Sequence, residues 1–399
     1  MKNKLIKDGR YLDHAYVPDE LPGRESQISR LMEHLSDCNV KSRNAIIMGD
    51  RGTGKTAVSK KVCAKDLPHI MDEKDIKCKG IIVNCKQSNT TFRVYQQMIF
   101  QITGNYPYIK NSEQDARMMF LSIIKDLDCL VVVLDEADML GKNHLSILYD
   151  LSRFQEQGMT DCKISVVAVS NNVMFPSMLD SKTRSSLCQV EFIFEPYNTP
   201  ELERILMQRA ELALIKGSYS KPIINRIASI AAQEEGDARY AIWLLSQSAE
   251  IAGRLDYDEI KLDCIRLARR SVEEERVKSL VKSLVVQKKL VLMGVLSATN
   301  GKNGGELPTT GEVYERYCNY CDNLGIQPVT DRRAIDFLSD LDNMGLIKKK
   351  LVSRGRYGRT HEIFLQVPYS ILKDTLEEDL GMSEKDNNNN GGLLRWIRK

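Results

Sequence analysis

The chain has 399 residues and a mass of 45.4 kDa, which at roughly 100–200 residues per domain is two to four domains. Hydrophobic residues make up 42% and charged residues 28%, a globular balance that excludes disorder as the main state and any fibrous repeat. The 57 basic and 54 acidic side chains leave a net charge of +3, too little to argue for nucleic acid by itself. No apolar run nears the roughly 18 residues of a membrane span, and the basic opening MKNKLIKDGR is followed by no apolar stretch, so neither a span nor a secretory signal is expected.

The first 200 residues alternate apolar runs with helical patterns. Ala45–Met48, Gly80–Asn84, Leu130–Leu134 and Ile164–Val169 are short and apolar on both faces, as buried parallel strands are. Gln189–Phe194 supplies a fifth. Amphipathic stretches at 55–65, 91–103, 115–125 and 145–157 lie between or beside them. Strand–helix alternation predicts an α/β domain with a parallel sheet and right-handed crossovers over residues 1–195. Beyond Pro196 the pattern turns all-helical, at 201–216, 222–235, 237–254 and 258–284, which predicts a helical domain over 196–284. From 285 to 372, apolar helices at 284–298, 311–324 and 331–344 precede two strands, 346–352 and 361–367, around a Gly- and Arg-rich turn. Three helices and a two-stranded wing make a winged helix. Residues 373–399, with an Asn/Gly tract, are expected to form a flexible tail.

The phosphate site is the strongest local signal. Gly49, Asp50, Arg51, Gly52, Thr53, Gly54, Lys55 and Thr56 match GxxxxGK[ST] between a strand and a helix that continues through Ala57, the context the motif requires. Its glycines let backbone N–H groups turn towards phosphate oxygens, and the helix N-terminus favours the anion. Lys55 is expected on the β- and γ-phosphates and Thr56 on Mg²⁺. The run Leu130–Leu134 then delivers Asp135 and Glu136 to the carboxyl edge of a central strand, where ligands bind in open α/β sheets. Asp135 is expected on Mg²⁺ and Glu136 on the attacking water. Asn171, at the tip of the strand after that, is a candidate γ-phosphate sensor, with an Asx turn as the alternative.

In this order the motifs resemble an AAA+ ATPase, and specifically the archaeal origin-recognition and replication-licensing initiators related to eukaryotic Orc1 and Cdc6. The segment Tyr16-Val17-Pro18-Asp-Glu-Leu-Pro22-Gly-Arg24-Glu25 is similar to that family's nucleotide-base segment, Asp135-Glu136-Ala-Asp138 to its Walker B motif, and Glu235-Gly236-Asp237-Ala238-Arg239 to its second sensor. The resemblance implies that Arg239 reaches the γ-phosphate and that Tyr16 and Val17 meet the base, with Tyr197 either near the adenine or packed at a hinge. Where the family places an arginine aimed at a neighbour's ATP, this chain reads Leu179-Asp-Ser-Lys182-Thr-Arg184-Ser-Ser186. Lysine lacks arginine's planar fork, so Arg184 is either the displaced finger or a surface charge. Residues 105–115 fall where such initiators carry an extra DNA-contacting helix, or form a plain loop.

Residues 347–361 hold six basic side chains and no acid. Arg354, Arg356 and Arg359 in the wing turn, with Lys348, are expected to grip DNA, and Arg332 and Arg333 open the helix that meets base edges or phosphate. Ile335, Leu338, Leu341 and Leu346 are expected to face the core. Of ten cysteines only Cys318 and Cys321 form a CxxC; without a second pair this spacing reads as helix rather than zinc site.

The resulting expectation is an ATP-dependent initiator that uses ATP or ADP with Mg²⁺, hydrolyses slowly as a switch and binds duplex origin DNA. By resemblance it recruits or loads the replicative helicase, works beside paralogous initiators, and is monomeric in solution or assembles on DNA, in the cytoplasm at the nucleoid. The rivals are an ATP-regulated transcription regulator, a clamp loader, which the strand pair near the C-terminus disfavours, and a protein-interaction module.

Overall fold

The computed structural model describes residues 3–106, 112–187, 190–300, 307–353 and 359–381. The chain divides into two compact units, Met1–Leu267 and Ala268–Lys399. The division falls within the helix Leu262–Ser283.

In the first unit, five parallel strands form one sheet: β1 (Ala45–Gly49), β2 (Cys78–Asn84), β3 (Cys129–Asp135), β4 (Lys163–Ser170) and β5 (Val190–Phe194), in the order β2-β3-β4-β1-β5. The strands β1 and β3, apolar except for Asp135 at the end of β3, are buried on both faces, whereas the edge strands β2 and β5 are buried only in part. Alternation sends Leu130, Val132 and Leu134 to one side, against the helices Thr91–Thr103, Glu113–Ile123 and Ser146–Arg153. Cys129, Val131 and Val133 go to the other, against Leu31 and Leu35 of the helix Glu25–Leu35 and Val58 and Val62 of the phosphate-loop helix. That helix starts at Lys55, passes through a π segment at Lys60–Asp66 and ends at Asp72, seven residues beyond the expected end. The π segment lies against β2 at Gly80, where a Cβ would stand 1.7 Å from the Cys63 carbonyl oxygen.

The helices Thr199–Ala213, Lys221–Gln233 and Ala238–Arg254 form a lid in the same unit. The N-terminal segment, expected with the α/β domain, packs on the lid instead. The amides of Lys7 and Asp8 donate to the Ala213 carbonyl, and the Ile215 amide donates to that of Leu5. Arg209 donates to the Tyr11 and Tyr16 carbonyls at 3.0 and 2.9 Å. Gln208 reaches the Glu20 carbonyl.

In the second unit, the helices Val286–Asn300, Thr310–Leu324 and Asp331–Asn343 pack with the antiparallel strands β6 (Ile347–Ser353) and β7 (Arg359–Leu365). Val277, Val281 and Leu284 join this core. Along Asp331–Asn343 the buried face is Ala334, Phe337, Leu338 and Leu341; Ile335, expected in the core, is half-buried. Residues 373–380, expected in the tail, belong to a further helix, Tyr369–Leu380, whose Ile371, Leu372, Leu376 and Leu380 fill the same core. Among the described residues no helix is long and apolar enough to cross a membrane.

Candidate nucleotide and nucleic-acid sites

Between the sheet's carboxyl edge and the lid lies a cavity of about 660 Å³, a size suited to a small-molecule ligand. The core contributes Gly52, Thr53, Gly54, Lys55, Thr56 and Ala57 from the phosphate loop, Asp135 and Glu136 from the end of β3, and Asn171 from the end of β4. Tyr16 and Val17 line it from the N-terminal segment, Tyr197 from the hinge and Arg239 from the lid. Gly49, Asp50 and Arg51 lie outside the lining. The Gly49 and Asp50 carbonyls instead accept from Lys55 Nζ at 2.8 and 2.5 Å, and Arg51 is exposed.

Loop geometry depends on glycine at two places. Gly52 has φ +72°, and a Cβ there would stand 1.8 Å from Asp237 Oδ1 of the lid; Gly54 has φ +86°, and a Cβ there would meet the Tyr197 hydroxyl at 2.4 Å. The backbone thus occupies the left-handed region that glycine adopts freely. Lid and loop also touch directly, since the Ala238 amide donates to the Gly52 carbonyl at 3.2 Å. Asp237 caps the lid helix, accepting from the Arg239 and Tyr240 amides at 2.6 and 3.3 Å.

Lys55 is 5% exposed. Burial, with the Arg239 charge beside it, lowers its ammonium to about 8, as expected of a cation held out of water. Burial likewise raises the Asp135 carboxyl, whose oxygens accept from Thr56 Oγ1 at 3.2 and 3.0 Å. A hydroxyl and a carboxylate converging on one point are hard oxygen donors of the kind Mg²⁺ takes, and the cavity's cationic, glycine-lined end fits a polyphosphate. Glu136 holds a left-handed φ of 54°, which turns the chain sharply as it leaves β3.

Three positioning residues received no role from the sequence, although Arg24 and Asp138 stand in the segments quoted above for the resemblance. Asn84, at the end of β2 and in register with Asp135, donates to Glu136 Oε2 at 3.4 Å. Asp138 accepts from Ser170 Oγ at 2.9 Å and from the Asn171 amide at 3.3 Å, and so fixes the turn that presents Asn171. Arg24, 2% exposed, donates to the carbonyls of Thr53 at 2.9 Å, Gly23 at 3.0 Å and Glu195 at 2.6 Å, and its guanidinium lies 3.7 Å from the Tyr197 ring centroid. It ties the phosphate loop to the hinge. Tyr197, 5% exposed, therefore packs in the hinge and lines the cavity at once.

Arg184 is exposed and stays outside this cavity; it donates to the Leu179 carbonyl at 3.2 Å. In the second unit Arg332 and Arg333 are exposed at the start of a helix capped by Thr330. Arg333 lies 3.6 Å from Asp336, and Lys348 3.4 Å from Asp342, so neighbouring acids compensate part of both charges. Arg354 and Arg356 lie outside the described residues, as do residues 107–111 of the 105–115 segment; Arg359 opens β7.

Comparison with known proteins agrees with this arrangement. Family models match residues 40–172 (AAA domain), 203–270 (Cdc6 AAA+ ATPase-type lid domain) and 279–375 (CDC6, C terminal winged helix domain). The chain is 36% identical over 383 residues to the ORC1-type DNA replication protein 1 of Sulfurisphaera tokodaii, covering 95% of this chain and 94% of the relative. It is 35% identical over 378 residues to that of Methanosarcina mazei, covering 94% and 91%. The Aeropyrum pernix ORC1 protein, solved in complex with DNA, superposes with a TM-score of 0.69 at 33% identity, covering 95% of this chain and 98% of that one.

Proposed function

Because the chain belongs to the Orc1/Cdc6 family of DNA replication initiators, we propose that it binds ATP in the cavity between core and lid and grips duplex origin DNA through its winged helix and ATPase core. In this reading, slow hydrolysis is the switch that times recruitment of the replicative helicase. The observation that carries the reading is that one cavity collects Lys55, Thr56, Asp135, Glu136 and Asn171 from the core and Arg239 from the lid.

Lys55 exchanges its two carbonyl partners for β- and γ-phosphate oxygens. Thr56 and Asp135 hold Mg²⁺, which supplies positive charge to the phosphate oxygens when bound. Glu136 orients the attacking water and accepts its proton, with Asn84 restraining the carboxylate. Asn171 and Arg239 meet the γ-phosphate from the two sides of the cavity. The electrostatic part rests on positions fixed before reaction, where such groups act most strongly. The DNA complex of the Aeropyrum pernix relative supports DNA as the partner, with Arg332, Arg333, Lys348, Arg354, Arg356 and Arg359 as candidate contacts.

The test is a footprint of the purified protein on its own genomic DNA, with ATP titrations of Lys55→Ala and Glu136→Gln. Protection concentrated at an origin, nucleotide binding lost in Lys55→Ala, and binding kept with hydrolysis lost in Glu136→Gln are expected. Protection scattered over promoters would identify a transcription regulator instead.

A further inference from the structure

Three sulfurs meet at the edge of the sheet opposite the nucleotide. Cys78 and Cys129 open β2 and β3 and are register partners; Cys38 follows the helix Glu25–Leu35, its amide donating to the Leu35 carbonyl. The Sγ atoms of all three lie within 4.8 Å of one another, and those of Cys38 and Cys129 are 3.8 Å apart. Cys38 and Cys129 are fully buried, while Cys78 is half-buried. A fourth thiol, Cys63, is fully buried in the same apolar layer.

Sulfurs that merely fill a core need not converge on one point. A zinc ion with Zn–S bonds of about 2.3 Å places its tetrahedral ligands about 3.8 Å from each other, the separation of Cys38 and Cys129. Thiolates select soft or borderline ions, and charge discriminates between those. Three thiolates leave −1 around a divalent ion and −2 around a monovalent one. Cys38 and Cys129 are fully buried in an apolar layer, where the smaller residual charge costs less.

We propose that Cys38, Cys78 and Cys129 form a structural zinc site that pins the turn after the first helix to the starts of β2 and β3. Each thiol loses its proton to solvent as its sulfur–zinc bond forms, and water completes the fourth position on the half-exposed Cys78 side. The site is a fastener rather than part of the ATP chemistry, because β3 runs seven residues from Cys129 to Asp135, roughly 20 Å at about 3.3 Å per residue.

The experiment uses the full chain, purified under reducing conditions from zinc-supplemented cells, with metal analysis and titration of the metal-stripped protein by Zn²⁺ and by Co²⁺ as a spectroscopic probe. One zinc per chain, a sulfur-to-cobalt charge-transfer band, and an unfolding temperature that falls on chelation are expected. Cys78→Ser and Cys129→Ala should each lose ion and band while keeping nucleotide affinity, which serves as the folding control; Cys321→Ser in the second unit should keep both. Four results would overturn the site: no zinc with no band, an unchanged band in Cys78→Ser, binding of Cu⁺ alone, or a metal-free Cys38–Cys129 disulfide in the purified chain.

Discussion

Arg24→Ala is the substitution whose cost is best worked from the structure. The guanidinium donates to three backbone carbonyls and stacks on Tyr197. Thr53 is fully buried, so its carbonyl loses its donor with no water to replace it, at about 1–3 kcal/mol. Gly23 and Glu195 are less buried; water replaces their donor, and each loss is about 1 kcal/mol. The cation–π contact adds about 1 kcal/mol. Together these destabilise the first unit by about 5 kcal/mol, which for a unit of this size lowers its Tm by about 10–15 °C. Calorimetry of the full chain, following the transition that ADP stabilises, measures the shift. Arg24→Lys should recover less than half, because an ammonium cannot serve three carbonyls in the plane that the fork spans. A Tm drop below about 2 °C for Arg24→Ala, or wild-type stability for Arg24→Lys, would refute the idea that Arg24 clamps loop to hinge.

Further outcomes follow from other contacts. Gly52→Ala forces a Cβ onto Asp237 at φ +72° and should weaken ADP binding at least tenfold in a fluorescent-nucleotide titration, since the loop and the lid helix cap cannot both stay in place; wild-type affinity would show that they do not touch in solution. Lys289, 7% exposed and 2.6 Å from Asp379, pairs the helices Val286–Asn300 and Tyr369–Leu380, so Lys289→Met should destabilise the second unit by about 3 kcal/mol in urea, with the added change Asp379→Leu restoring much of it. For Arg356→Ala with Arg359→Ala, duplex affinity should fall and its salt dependence become shallower by about 2 log units per log unit of salt if both neutralise phosphates; an unchanged slope in binding isotherms would move the contact to Arg332 and Arg333.

What could be read in the sequence was local. The five strands and the phosphate loop announce themselves because buried parallel strands are continuous apolar runs and the loop's glycines keep a fixed spacing to Lys55 and Thr56. Asp135, Glu136 and Asn171 are legible as strand ends. Asn84 ends a strand too, but it faces Glu136 only through the β2–β3 register, which no single segment encodes. Arg24 is visible in the sequence only as part of the segment that opens the family resemblance; its role as a clamp appears once its three carbonyl partners, up to 171 residues away, are assembled around it. Most of the helix Tyr369–Leu380 falls inside the tail drawn on account of the Asn/Gly tract, although Ile371, Leu372 and Leu376 repeat at helical spacing. The cysteine trio has no spacing motif at all, because Cys38, Cys78 and Cys129 meet only when the sheet forms, and the CxxC that did catch attention leads merely to the winged-helix core.

The docking of residues 3–20 on the lid has a mechanical consequence. Arg209 and Gln208 hold the chain around Tyr16, and Arg239 projects from the same group of helices. Tyr16 and Val17 on one wall of the cavity and Arg239 on another therefore belong to one body, joined to the core at Arg24 and Tyr197. A rotation of that body that withdrew Arg239 would carry Tyr16 and Val17 with it. In the proposed reading, loss of the terminal phosphate would then be felt at the opposite end of the nucleotide, and the grip would loosen along its whole length in one movement.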